Sequence, residues 1–277
     1  MNVKNGGYRM KNIINKARNY KFNTLAYVDI EDMSDAEVIL NNEDDLFIAR
    51  YSDEKIHLDW AAESKADFLS GLQQVIGVLK EKSDKKIYTE FVPENFVIDL
   101  EKLGFEIESE YIDFWNNDLI NLTTRDDKSL SIRKIEKEEY NISGEITRAC
   151  EGYSRGFCGE SNQWIKDWNE SENSWIFVGE ISGEIVGVCC IRLYGFDSEK
   201  GTVLWIRELA VHPKHQSQGI GYKLINYAMK FGKKNGAKRS FLACDAENHN
   251  AIKLYEKFGF QCKDERGQIN MVTKTVI

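Results

Sequence analysis

Proline is almost missing from this chain, and so is histidine: 277 residues hold two prolines, Pro93 and Pro213, and four histidines. No proline-rich or low-complexity linker therefore marks a domain boundary. No apolar run approaches the roughly 18 residues that a membrane-spanning helix needs, so no membrane association is expected. Met1 to Tyr20 is polar and basic without an apolar core, which argues against a secretory signal and for a cytoplasmic protein. The six cysteines are scattered and form no Cys-x-x-Cys pair, and the histidines do not join them at ligand spacing. No metal is expected, and the thiols read as reduced. An excess of basic charge is lacking too. Residues 1–125 carry 15 Lys and Arg against 24 Asp and Glu, and residues 126–277 carry 22 against 21. The acidic first half argues against a nucleic-acid partner, whose phosphates require a basic face; a cationic substrate or partner, or a plain acidic surface, are the readings it leaves.

Glycine, by contrast, is placed with purpose. Gln216-Ser217-Gln218-Gly219-Ile220-Gly221 follows an apolar run, Val203 to Val211, that reads as a strand. It opens a segment in which Ile220, Leu224, Tyr227, Ala228 and Phe231 recur with helical period. A strand, a glycine turn and a helix start together form a cradle for a diphosphate. Backbone N–H groups can converge there without a Cβ in the way, and the helix adds its first-turn donors. A nicotinamide-dinucleotide site is the rival reading. It fails because the loop follows several antiparallel-looking strands and no acidic residue stands about 20 positions on.

Upstream stands Glu208-Leu209-Ala210-Val211-His212-Pro213. Downstream come Asn248-His249-Asn250-Ala251 and Tyr255-Glu256-Lys257-Phe258-Gly259-Phe260. In this order and spacing, from Trp205 to Phe260, the chain resembles the acyl-CoA-binding core of the GNAT N-acetyltransferase superfamily. More loosely, the resemblance reaches back to about Leu130. It implies an α/β (α+β) fold of tandem GNAT-like domains, each a mixed, mostly antiparallel twisted sheet flanked by helices.

The first half contains a fainter echo. Leu100-Glu101-Lys102-Leu103-Gly104-Phe105 mirrors Tyr255 to Phe260, and Asn95 precedes it much as Asn248 precedes the second copy. Strands are expected at Asp45–Tyr51, Lys55–Trp60, Lys86–Phe91 and Phe105–Trp115, with helices at Lys65–Glu81 and Glu94–Leu103. The expected division is a degenerate GNAT-like domain over residues 1–125 and an acetyl-CoA-binding catalytic domain over 126–277, joined at Thr123 to Asp127. The first copy reads Ala61-Ala62-Glu63-Ser64-Lys65 where a glycine loop should stand, and Leu100 where the second has Tyr255. It is expected to have lost CoA binding. Scaffold, substrate wall and homodimer surface stay open as its role.

In the second half, strands are expected at Leu130–Lys134, Trp175–Ile181, Glu184–Tyr194, Thr202–Val211, Arg239–Cys244, Phe260–Lys263 and Ile269–Thr275. Helices are expected at Lys137–Ala149, within Glu151–Asn169, at Gly219–Asn235 and at Asn248–Phe258. The Ser182-Gly183 pair suits a two-residue hairpin turn.

The resemblance implies that the loop holds the diphosphate of acetyl-CoA through Gln216, Ser217, Gln218, Gly219, Ile220, Gly221 and Tyr222. It also implies that the strand edge at Leu209, Ala210 and Val211 pairs with the pantetheine arm. A two-amide arm can add to a strand edge as a short peptide would. Asn248 resembles the family's helix-opening asparagine, although capping its own helix explains it equally well. Tyr255 stands at the family's general-acid position, where packing is the plainer alternative. Glu208 stands where members often hold a general base, and strict alternation would put it on one face with Ile206 and Ala210. A salt bridge to Arg207 or Arg192 is the competing account of Glu208. The loop Tyr153 to Glu160, rich in aromatics and glycine, suits a mobile lid over the acceptor. Phe157 and Glu160 are candidate substrate contacts there.

The expected activity is transfer of an acetyl group from acetyl-CoA to a primary amine of a small molecule or peptide, by direct attack in a ternary complex. A non-catalytic acetyl-CoA sensor, a transferase for another acyl-CoA and a mycothiol-synthase-like acceptor remain alternatives.

Overall fold

The computed structural model describes residues 3–28, 30–33, 35–122 and 130–274. In chain order the elements are α1 (Val3–Ala17), β1 (Phe22–Asn23), β2 (Glu37–Asn41), β3 (Asp45–Tyr51), β4 (Lys55–Ala62), α2 (Lys65–Lys82), β5 (Lys86–Val92), α3 (Val97–Lys102) and β6 (Phe105–Asn116). Then follow β7 (Ser131–Lys134), α4 (Tyr140–Arg148), α5 (Asn162–Glu170), β8 (Ser174–Ile181), β9 (Glu184–Tyr194), β10 (Val203–Val211), α6 (Ile220–Lys234), β11 (Arg239–Asp245), α7 (His249–Glu256) and β12 (Gln268–Thr273).

The local signals act as expected. Ser64 caps α2 by accepting the N–H of Asp67, and Phe68, Leu72, Val75 and Leu79 bury one stripe of that helix. Ser182 and Gly183 both take positive φ, 53° and 85°, which matches a tight turn to the twist of β8 and β9. Three readings are corrected. The helix expected from Glu94 opens instead as a 3-10 turn, Glu94–Phe96, ahead of α3. The strand expected over Phe260–Lys263 is reduced to a single bridge, Trp115 to Gln261. Before Asp45, where no element was expected, the chain forms α1, β1 and β2.

The chain divides into two compact units, residues 1–110 with 268–277, and residues 111–267. The expected junction, Thr123 to Asp127, lies outside the described residues. The two units exchange strands along the sequence. The first unit orders its sheet β2-β3-β4-β5-β12-β6, so the strand beside β5 comes from the far end of the sequence. The second orders its sheet β6-β11-β10-β9-β8-β7, and the strand beside β11 is the second half of β6.

Both units contain one parallel pair that soon parts. β4 and β5 pair only from Lys55–Lys86 to His57–Tyr88. β10 and β11 pair only from Val203–Arg239 to Trp205–Phe241. In the first unit the gap is filled by the chain itself. β3 already pairs with β4 through Ala61 and Ala62, and β1 pairs with the same two residues, so β1 lies on the edge that β5 has left. Thr24 continues the plug: its N–H donates to Trp60 O at 2.8 Å, and its Oγ1 accepts the Trp60 N–H at 2.8 Å. Phe22 packs on Phe96 with ring centroids 5.0 Å apart.

Thr24 is buried, so Thr24→Val strands the Trp60 amide without an acceptor. The expected cost is about 1–3 kcal/mol in urea unfolding, and Thr24→Ser, which keeps the hydroxyl, should recover most of it.

Candidate active site

In the second unit no strand of the described residues fills the corresponding gap. β10 and β11 share only their first residues, and beyond Trp205 and Phe241 no ladder joins them. The parting coincides with a β-bulge. Ile206 faces Ile191 of β9 and Glu208 faces Cys190, so Arg207 is the extra residue. The bulge overturns the expected alternation. Ile206, Leu209 and Val211 pack into the cluster beneath α6, together with Cys189 and Ile191. Trp205 and Ala210 pack with Cys190 and Val188 on the face of α4 and α5. Glu208, opposite Cys190, belongs to that second face, whereas Ile206 points the other way.

Glu208 is 7% exposed. Burial pushes its carboxyl up to about 7, against a smaller downward pull from Arg207. Its Oε1 accepts the N–H of Leu209 at 2.9 Å, and its Oε2 lies 3.8 Å from Arg207 Nη1. The same guanidinium reaches Glu160 Oε1 at 3.3 Å. Burial also raises the Glu160 carboxyl, again opposed by Arg207. The competing salt bridge of Glu208 to Arg207 thus exists, but a buried and a part-buried carboxylate share one cation.

The loop from Tyr153 to Glu160, which by composition suits a mobile lid, is tied down at both ends. Arg155 pairs with Asp245 at 3.0 Å and Glu247 at 2.9 Å, at the end of β11. Glu160 pairs with Arg207 on β10. Gly159 takes φ +75° and lies so close to the backbone of Arg148 that a Cβ would stand 2.4 Å from it. The segment is therefore a clasp across the parted strands. Phe157 is half-buried against the α4/α5 cluster.

The glycine loop forms as a cradle. Ser217 and Gly219 both take positive φ, 61° and 78°, and Gly219 caps α6. Among the described residues, no acceptor is seen for the backbone N–H groups of Ser217, Gln218, Gly219, Ile220, Gly221 and Tyr222. Gln216 fixes the loop by donating its side-chain amide to Val211 O at 3.0 Å. A Cβ on Gly219 would meet nothing within 4 Å, so that glycine serves its backbone angle. A Cβ on Gly221 would stand 3.4 Å from Leu254 and 3.8 Å from both Leu209 and Val211, so Gly221 faces the gap. On β10, His212 donates to Val186 on the β9 side. By strand alternation the polar groups of Leu209 and Val211 point the other way, where Glu208 holds the Leu209 N–H and Gln216 and Cys150 hold the Val211 C=O.

Other candidates have local tasks. Tyr222 packs on Phe258, with centroids 4.7 Å apart. Asn248 caps α7 by accepting the N–H of Ala251 at 3.2 Å. Tyr255 is 9% exposed, and its ring lies 6.4 Å from Phe114 and 6.2 Å from Phe260. Burial, with smaller contributions from Cys244, Glu208 and Cys189, holds its phenol well above the usual value, so it stays protonated. Its hydroxyl has no hydrogen-bond partner among the described residues. Tyr255 and Glu208 approach the gap from opposite faces of the sheet.

Residues 131–260 match the Acetyltransferase (GNAT) family. An uncharacterised N-acetyltransferase of Methanocaldococcus jannaschii is 30% identical over 153 residues, covering 53% of this chain and 68% of that protein. The chain belongs to the GNAT acetyltransferase family. It is an acyltransferase of that family, and the Bacillus subtilis spermine/spermidine N(1)-acetyltransferase is a second relative. That match is 30% identical over 87 residues, spanning 30% of this chain and 57% of the relative. The GCN5-related N-acetyltransferase of Sphaerobacter thermophilus has a similar fold at 12% identity, with a TM-score of 0.59 over 95% of this chain and 89% of that one. Among the described residues, no helix is long and apolar enough to cross a membrane.

The raised Glu208 carboxyl has a consequence for stability. A group whose pKa is higher folded than unfolded stabilises the fold most below its ordinary 4.5 and loses that contribution as pH rises through about 7. Glu208→Gln should therefore raise the melting temperature of the ligand-free protein at pH 8 more than at pH 5, as read by calorimetry at both values.

Proposed function

We propose that the chain transfers an acetyl group from acetyl-CoA to a primary amine, by direct attack in a ternary complex at the second unit. The observation that carries this reading is the open gap between β10 and β11. It has an unpaired strand edge on one side, an N–H cradle at its mouth and a buried carboxylate at the bulge. Acetyl-CoA supplies the activated acyl group, and the chain's residues do the rest.

The loop from Gln216 to Gly221 holds the diphosphate through its unpaired N–H groups and the start of α6. The Leu209 C=O and the Val211 N–H are offered to the two amides of the pantetheine arm, while the Val211 C=O stays with Gln216 and Cys150. Glu208, poised near neutrality, takes a proton from the acceptor ammonium so that the nitrogen attacks as a free amine. The Leu209 N–H, held by Glu208 in the empty site, is the nearest donor for the developing oxyanion. Tyr255 remains protonated at neutral pH and gives a hydrogen bond or proton to the leaving sulfur. The Glu160–Arg207 pair completes the acceptor side of the bulge.

We further propose that the first unit is a degenerate copy that takes no acyl-CoA. It has the same parting of parallel strands but no bulge, since β3 and β4 keep one register throughout. Its gap is occupied by Phe22 to Thr24, and Ser64 caps the helix that follows.

Calorimetric titration of acetyl-CoA into the intact chain should give a stoichiometry near one, and Gly219→Glu should abolish it. Two sites would overturn the degenerate reading, and no binding would overturn the transferase reading. Glu208→Gln should lower turnover about 10²- to 10⁴-fold and remove the acid limb near pH 7 from the kcat/KM profile. Tyr255→Phe should lower turnover while leaving CoA affinity within about twofold. An unchanged rate would return Tyr255 to a packing role.

A further inference from the structure

The bulge puts Glu208 on the same sheet face as three rings that run across the strands. Trp205 on β10 lies 6.4 Å from Phe241 on β11, and Phe241 lies 4.8 Å from Trp115 on β6. α4 and α5 pack on β8, β9 and β10 of this unit, with Trp168 edge-on to Trp205 at 5.6 Å. Phe241 and Trp115 are only half-buried. Large apolar rings left half-open beside a reactive carboxylate form a floor for something flat or apolar.

The two ends of the row differ in charge. At the Glu208 end stands Asp113, on the same face of β6 as Trp115 and exposed. At the far end stands Arg239, whose guanidinium lies 5.2 Å from the centre of the Trp115 ring. Its Nε is buried and has no hydrogen-bond partner, and no carboxylate of the described residues pairs with it. The other arginines of this face are engaged: Arg192 donates to Ser174, and Arg207 pairs with Glu160. Tyr194, opposite Val203 and so beside Arg239 in the sheet, adds a partly exposed phenol that stays protonated. From the Cys190 position opposite Glu208 to the Tyr194 position is four residues of β9, about 13 Å.

We infer that this face is the acceptor's binding floor, and that it selects an amine with an apolar or aromatic middle and an anionic group at its far end. The anionic group is taken by Arg239. This inference rests on the acyl-transfer reading for the position of the reacting amine. The fixed fork of a guanidinium suits a carboxylate or a phosphate equally, and a distal carboxylate is the form to test first.

The experiment follows tryptophan fluorescence of the full chain, with and without CoA. It titrates the tripeptide Ala-Phe-Ala as free acid, the same peptide as its C-terminal amide, and spermidine. A hydrogen-bonded charge lost without replacement should weaken binding about 10- to 100-fold. The acid should bind at least tenfold tighter than the amide. Arg239→Gln should erase that preference, and Arg239→Lys should keep part of it. Equal affinity of acid and amide, no binding of either, or tighter binding of spermidine overturns the inference. Acetylation of the peptides is measured separately. Selective binding of the acid without transfer would count against the transferase reading and leave the anion site standing. Transfer to acid and amide with equal KM would do the reverse.

Discussion

Two parallel strands that refuse to stay paired are the constraint on which the site depends. β10 and β11 start side by side and separate just where Arg207 is inserted. A paired strand has no free edge, so without the separation nothing extended could dock there. Were Arg207 taken into a regular ladder, Glu208 would share the face of Ile206 toward α6, away from α4 and α5. The bulge thus coincides with the parting of the strands and turns a carboxylate to the face of α4 and α5. Burial then moves the charge of that carboxylate into the range where it can exchange a proton near pH 7.

The first unit shows what happens when only part of that arrangement is kept. Its parallel pair also parts, but β4 runs without a bulge and the space is closed by Phe22, Asn23 and Thr24. A strand edge left unpaired in an interior is costly unless something completes it. In one unit the chain completes its own edge. In the other the edge is left available, and the buried polar groups beside it are held by short local contacts such as Glu208 to Leu209.

Much of this was legible in the sequence, and the boundary of legibility has a physical cause. Glycine at a left-handed position, asparagine at a cap and apolar residues at helical spacing are local signals. They announced the loop at Gly219, the start of α7 at Asn248 and the course of α6. The bulge was not legible, because a strand with one inserted residue looks like any alternating strand until its partner's register is known. The engagement of Glu160 by Arg207 depends on a loop folding back over β10, which composition does not reveal. The plug was missed for a related reason. β1 is two residues long and has meaning only beside β4. The exchange of β12 and the second half of β6 is a pairing between distant segments, so a division by sequence position had no means to find it.

That exchange bears on how the chain can be made. The first unit needs β12, whose residues begin at Gln268, beside β5, which ends at Val92. A ribosome releasing the chain from its N-terminus delivers α1 through β5 long before their neighbour exists. Until β12 arrives, the edge of β5 is an open template for any other extended segment. The closing contact therefore has a very long sequence separation, the kind of pairing that slows folding. A cell making this protein would hold the sheet of the first unit half-finished from the release of β5 until Gln268 to Thr273 emerge, and that strand would decide whether the sheet closes on itself or on a neighbour.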